Sequence, residues 1–126
     1  MQDAKFGYIF NAWSDGERVF RNESQSGRTF KAMRDAAAGD DAIAARVDLF
    51  QHRVVEEFYD LENDLDALHN LAADPAYAAK AGEYRARLES WMEQTGDPAL
   101  EALRHRGDPA ALAKFMEAQN AEAKGA

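Results

Sequence analysis

The sequence predicts an α+β fold: a small antiparallel sheet of two to three strands, packed against a long C-terminal helix, with additional short helices. Three observations carry that expectation. Two short runs read as strands: FGYIFNAW at 6–13, whose aromatic residues Phe6, Tyr8 and Phe10 share one face, and VVEEFYDL at 54–61, which alternates after its start. The tripeptide Asp-Pro-Ala occurs at Asp74, Asp97 and Asp108, and it accounts for every proline in the chain. Between the first two of these, Tyr77, Ala81, Tyr84, Leu88 and Trp91 recur at helical spacing.

The first strand places Phe6, Tyr8 and Phe10 on one face and Gly7, Ile9, Asn11 and Trp13 on the other. Ser14-Asp15-Gly16 follows, and Asp-Gly predicts a hairpin turn with ERVFR as the return strand. The polar run RNESQSG at 21–27 is then a loop. Ser26 is placed to cap a helix over about 27–38 that closes at Gly39. Asp40 or Asp41 caps the next one, with Ile43, Val47 and Phe50 as its apolar stripe.

The Asp-Pro pairs have a mechanical reading. An N-cap aspartate accepts a bond from an orphan N–H, and proline at the first helical position has no N–H to leave unpaired. Gly96 and Gly107 precede two of the three pairs and are suited to end helices in the left-handed conformation. The helix opening at Pro75 is expected to be the longest, burying Tyr84, Leu88 and Trp91 against the sheet. Glu83 and Arg87 are spaced for an ion pair on its wet side. A last helix carries Leu112, Phe115 and Met116 and fades into AEAKGA.

Composition narrows the function classes. A chain of 126 residues is long enough for one domain with a core. Its net charge of −8 repels phosphate backbones, so nucleic-acid partners are not expected. No apolar run approaches the roughly 20 residues that span a bilayer, and no signal-peptide pattern opens the chain. A soluble chain follows, with its compartment unknown. Cysteine is absent, which removes disulfides, thiolate metal sites and cysteine nucleophiles together.

Few residues point to chemistry. His52, His69 and His105 lack the paired spacing of a metal site. Glu62, Asp64 and Asp66 offer alternate oxygen ligands, but the central glycine and closing glutamate of a calcium loop are missing. Turn capping by Asn63, Asp64 and Asp66 explains them better. Arg104, His105 and Arg106 would suit an anion, but at a helix C-terminus complementing the dipole is the better reading. The loop RNESQSGR is the least ordinary stretch. Arg21, Asn22, Glu23 and Arg28 would suit an anionic or sugar ligand at a substrate cleft, and an ordinary polar surface loop is the competing reading.

A resemblance goes further than these patterns. EEFYDLENDLDALHNLAADPAYAA, followed by a long helix and WMEQTGDPAL, resembles the C-terminal region of sulfatases. There a strand of the type E-L/F-Y-D-L leads through an acidic turn and N-L-A to D-P and the terminal helix. FGYIFNAW is similar to the R/K-F-x-Y-I-x-N strand of that region. RNESQSGRTFKAM is most similar to a bacterial subgroup related to the heparan N-sulfatase (sulfamidase) branch. The resemblance covers Lys5 to Leu100. Asp64-Leu65-Asp66 stands where the family commonly has D-P-D, and Val55 where proline is frequent.

The resemblance implies a small sheet-and-helix subdomain that follows an alkaline-phosphatase-like catalytic domain. That domain hydrolyses sulfuric esters or N-sulfoglucosamine with a formylglycine, made in a C/S-x-P-x-R motif, and with calcium. Neither cysteine nor S-x-P-x-R is present here, so no catalytic, cofactor-binding or metal residue carries over. Calcium and formylglycine are expected only in the catalytic domain of the parent enzyme, which is the implied partner together with its sulfated saccharide or sulfate ester. Residues 1–107 read as the sulfatase C-terminal-like subdomain, and 108–126 as a terminal helix and frayed tail. With Met1 so close to the first strand, the chain reads as a fragment, a split gene product or a misassigned start. Trp13, Phe20 and Phe30 are then the rings expected at a surface left by the missing domain. The alternative is an independent small helical interaction protein without enzymatic activity.

Overall fold

A computed structural model describes residues 1–125. Its elements are β1 (Phe6–Phe10), a 3-10 turn (Glu23–Ser26), α1 (Arg28–Ala36), α2 (Asp41–Gln51), β2 (Glu56–Asp60), a 3-10 turn (Pro75–Tyr77), α3 (Ala78–Thr95), α4 (Leu100–Arg104) and α5 (Pro109–Gly125). The fold is α+β, with a two-stranded antiparallel sheet. The chain forms two compact units. Met1–Trp13 joins the stretch from Val55 onward in one, and Ser14–Val54 forms the other.

In the first unit, β1 pairs with β2 from Phe6 opposite Asp60 to Phe10 opposite Glu56. Tyr8 and Phe58 face each other on the same side of the sheet, and both are buried. Phe58 stacks on Phe6 at 5.3 Å between centroids and meets the edge of Tyr84 at 5.6 Å. Ala81 and Tyr84 of α3 complete this core, with Phe10, Leu71, Ala72, Tyr77 and Leu88 packed around it. Both sheet edges are blunted, which limits edge-to-edge pairing. Tyr8 donates its N–H to the Met1 carbonyl at 2.8 Å on one side. On the other, Leu71 donates to the Phe58 carbonyl at 2.7 Å.

The segment between β2 and α3 is a capped crossover. Asp60 accepts from the backbone of Glu62 and Asn63 and from the Asn63 side chain. Asp64 accepts from the His69 N–H at 2.7 Å. These carboxylates hold a turn in which Ala67 takes a left-handed φ of 50°, a conformation that costs a non-glycine residue about 1–2 kcal/mol. Asn70 then returns to the sheet edge, accepting from the Phe58 N–H and donating to the Glu56 carbonyl. Asp74 accepts from the Ala76 N–H, and the chain enters the 3-10 turn and α3. At 18 residues α3 is the longest described helix.

Its buried face runs through Ala81, Tyr84 and Met92, with Leu88 against the core. Trp91, expected inside, is 50% exposed. The cause is rotation along the helix: a 3.6-residue repeat carries the stripe from Leu88 to Met92, past Trp91. Leu88→Ala should therefore cost about 2 kcal/mol or more, and Trp91→Ala less than about 1 kcal/mol. Urea denaturation of the two variants checks this, and a larger loss from Trp91 would overturn the assignment. The Glu83–Arg87 pair also fails to form. Glu83 takes Lys80 at 2.7 Å, and Arg87 takes Asp3 at 3.3 Å.

Gly96 ends α3 at φ 66°, in the left-handed region as expected. Gly107 has no positive φ, because the turn before α5 closes instead by a bond from the Asp108 N–H to the His105 carbonyl at 2.8 Å. Asp97 accepts from Ala99, and Asp108 from Ala110 and Ala111, as the Asp-Pro motif predicts. Ala102, Leu103 and Leu112 are buried where α4 packs on α3 and on α5. The last helix continues through Gly125.

The second unit corrects the predicted hairpin. Gly16 has the expected positive φ of 83°, but Asp15 does not. The Asp15 carboxylate instead accepts the N–H groups of Glu17 and Arg18, removing donors that a return strand would need. ERVFR forms no strand, and β1 finds its partner in β2. Ser26 does not cap α1; its hydroxyl donates to the Glu23 carbonyl, and Gly27 is the capping residue. Asp40 caps α2 through Ala42 and Ile43. Phe30 is buried against Phe50, and Phe20 meets the same ring at 6.2 Å, while Trp13 in the other unit is half-buried. The exposed large apolar residues are Ile9, Val19, Val54, Leu65 and Trp91 instead.

Candidate functional site

The loop selected from sequence is held by its own side chains. Gln25 accepts from the Asn22 N–H at 3.2 Å and donates to the Phe20 carbonyl at 2.7 Å. The Ser24 hydroxyl donates to Asn22 Oδ1 at 2.7 Å, so the Asn22 side chain is engaged locally. Arg21, Asn22, Glu23 and Arg28 are all exposed. Neither arginine forms an ion pair among the described residues. This makes RNESQSGR a well-ordered turn that presents two free guanidiniums and one carboxylate to solvent.

The most concentrated polar chemistry lies elsewhere, around two adjacent glutamates of β2. Strand alternation sends their side chains to opposite faces. On the face shared with α3, Glu56 Oε1 accepts from the Tyr8 hydroxyl at 2.7 Å and from Arg85 Nε at 2.6 Å. Arg106 Nε also lies 3.0 Å from this oxygen. The Arg85 guanidinium stands over the Tyr8 ring, 5.8 Å from its centroid. Glu57 on the other face is buried. It accepts from Asn11 Nδ2 at 3.1 Å and from the Tyr59 hydroxyl at 3.0 Å.

Sequence inspection missed both glutamates, since all of their donors but Tyr59 lie 29 or more positions away. The spacing of Glu56 and Glu57 in a strand was the available signal. Arg104 stands in the last turn of α4, where a cation complements the dipole as expected, and it also makes ion pairs. Arg104 bonds Glu89, Glu93 and Glu101 at 2.8, 3.2 and 2.9 Å, which raises its pKa and ties α4 to α3. Arg106 belongs to the Glu56 cluster.

The ionisation pattern follows these contacts. Burial pushes the Glu56 carboxyl up, but hydrogen bonds from Tyr8 and Arg85 and the nearby guanidinium charges outweigh it, and the net shift is down. Burial and the Glu56 carboxylate together push the Tyr8 phenol well above its ordinary range. The Tyr84 hydroxyl, with the N–H groups of Lys5 and Phe6, holds Asp3 far below the usual carboxylate range. Asp60 and Asp64 are lowered as well, chiefly by the Asn63 side chain and the His69 backbone respectively.

These depressed values set an acid limb for stability. Each carboxyl is more acidic folded than unfolded, so the unfolded chain binds more protons as pH falls. The contribution is complete above the unfolded values near about 4 and is lost as pH drops through the lower folded values. The urea midpoint should therefore decline below about pH 4.5. Asp3→Asn with Glu56→Gln should flatten that decline. An unchanged slope in the double variant would show that other groups control it.

Among the described residues no three His, Asp or Glu side chains converge as a metal-holding group. His52 and His69 each lie beside a single aspartate, Asp48 and Asp64. No described helix is long and apolar enough to cross a membrane. No protein-family model matches the chain, and no curated protein matches it.

Proposed function

We propose that this chain is a non-catalytic C-terminal subdomain of a sulfatase-type hydrolase, buttressing the catalytic domain of its parent enzyme. One observation carries the proposal. The residues that bear the resemblance, from Glu56 to Pro75, form a continuous strand, capped turn and helix entry. Four polar residues of the motif have a backbone duty there: Asp60, Asp64, Asn70 and Asp74 all accept main-chain N–H groups. That pattern supports an architectural role for the motif, returning α3 across the face of Tyr8 and Phe58. The exposed Arg21, Asn22, Glu23 and Arg28 are the residues we assign to the border of the parent enzyme's substrate cleft.

The isolated chain is expected to hydrolyse no sulfate ester or sulfamate. Attack at sulfur needs an activated nucleophile and fixed positive charge at the developing oxyanions. The sequence has neither a cysteine nor the S-x-P-x-R motif from which the family makes its nucleophile. Two measurements test the reading. Turnover of an aryl sulfate and of an N-sulfated glucosamine at saturating calcium should stay at background. The reading frame upstream of the Met1 codon should encode a C/S-x-P-x-R motif. Turnover abolished by a point change in this chain would overturn the non-catalytic reading, and an in-frame stop directly upstream would favour an independent interaction protein.

A further inference from the structure

We propose that Arg85 and Arg106, braced by Glu56, form an oxyanion-binding site on the first unit. The argument starts from charge. Two guanidiniums converge on one carboxylate, leaving a local surplus of one positive charge in a chain of net charge −8. Neither arginine can shed that charge by deprotonation.

Hydrogen bonding is equally unbalanced. Three donors crowd a single oxygen of Glu56, and Arg106 pays for the crowding. Its buried Nε sits 3.0 Å from Oε1 yet makes no aligned hydrogen bond among the described residues. Each guanidinium carries five donors in a rigid fork. Arg85 directs Nε to Glu56, and Arg106 directs Nη1 to the Leu103 carbonyl at 3.3 Å. Donor capacity exceeds the acceptors present.

The cluster is also pre-organised and open. The Arg85 and Arg106 side chains are 25% and 29% exposed, so their outer edges reach solvent while their inner edges are fixed. Stacking over Tyr8 holds the Arg85 plane. A planar or tetrahedral oxyanion matches such a paired fork, as carboxylates and sulfates do. The Arg104 cluster provides the contrast: three carboxylates surround one guanidinium, which leaves no surplus for an anion. The assignment does not depend on the sulfatase reading.

The test titrates the protein with sodium sulfate and, separately, sodium acetate, against sodium chloride at matched ionic strength. Arginine Nε–Hε NMR signals are the readout. Saturable shifts confined to Arg85 and Arg106 are expected, and the stronger salt identifies a tetrahedral or a carboxylate ligand. Arg106→Lys should keep the charge, lose the fork and weaken binding at least several-fold, while Arg104→Lys should leave it unchanged. Should either arginine replacement disturb folding, wild-type shifts alone decide. Non-saturating shifts, or equal shifts at Arg104, would overturn the proposal.

Discussion

Phe58→Ala is expected to destabilise the protein by about 3–5 kcal/mol, the range for truncating a buried aromatic ring. Phe58 has no exposed surface and sits in the middle of β2. Its ring is the hub of the core, stacked on Phe6 and in contact with Tyr77 and Tyr84. Removing it deletes contacts to β1, to the entry turn of α3 and to α3 itself in one step. Neighbouring rings cannot collapse into the gap, because Tyr84 is tethered by its hydroxyl to Asp3 and Tyr8 by its hydroxyl to Glu56. The cavity term should therefore remain large. Since small domains are stable by only about 5–15 kcal/mol, the variant should be marginal at 37 °C. Phe58→Leu keeps much of the volume and should cost clearly less. Urea midpoints of both variants decide the matter, and a loss under about 1 kcal/mol for Phe58→Ala would mean the core closes without this ring.

What the sequence revealed and concealed follows the range of the interactions. Capping chemistry was readable because it acts over two or three residues: Asp40, Asp74, Asp97 and Asp108 all take the backbone bonds their motifs predict. Strand faces were readable because alternation is strict. The partner of β1 was not, since the local Asp-Gly turn outweighed a pairing across 46 positions that leaves no signature between the strands. Trp91 was misplaced by one residue of helical drift. Glu56 and its arginines were invisible for a related reason: Tyr8, Arg85 and Arg106 meet only once the sheet, α3 and the turn after α4 are assembled. Arg21, Asn22, Glu23 and Arg28 lay within one loop, and proximity in sequence brought them to notice.

Glu56→Ala should cost about 2–3 kcal/mol, more than any single exposed ion pair contributes. An exposed pair is worth at most about 1 kcal/mol, because water replaces the lost partner. Glu56 differs in accepting from Tyr8 and Arg85 and facing the Arg106 charge as well, from a position only a quarter exposed. Its removal leaves a phenol without its acceptor and two guanidiniums facing each other without a counter-charge. Hydrogen bonds to a charged group contribute about 1.5–3 kcal/mol, and breaking a fully buried pair costs about 3–5 kcal/mol. Partial exposure places this site below the second range. Glu56→Gln retains an acceptor for Tyr8 and should lose less, with the difference reporting the charge. A double-mutant cycle with Arg85→Ala isolates the pair, and a coupling of about 1–2 kcal/mol is expected. If the two losses simply add, Arg85 and Glu56 are neighbours without energetic linkage, and β2 is held to α3 by the aromatic core alone.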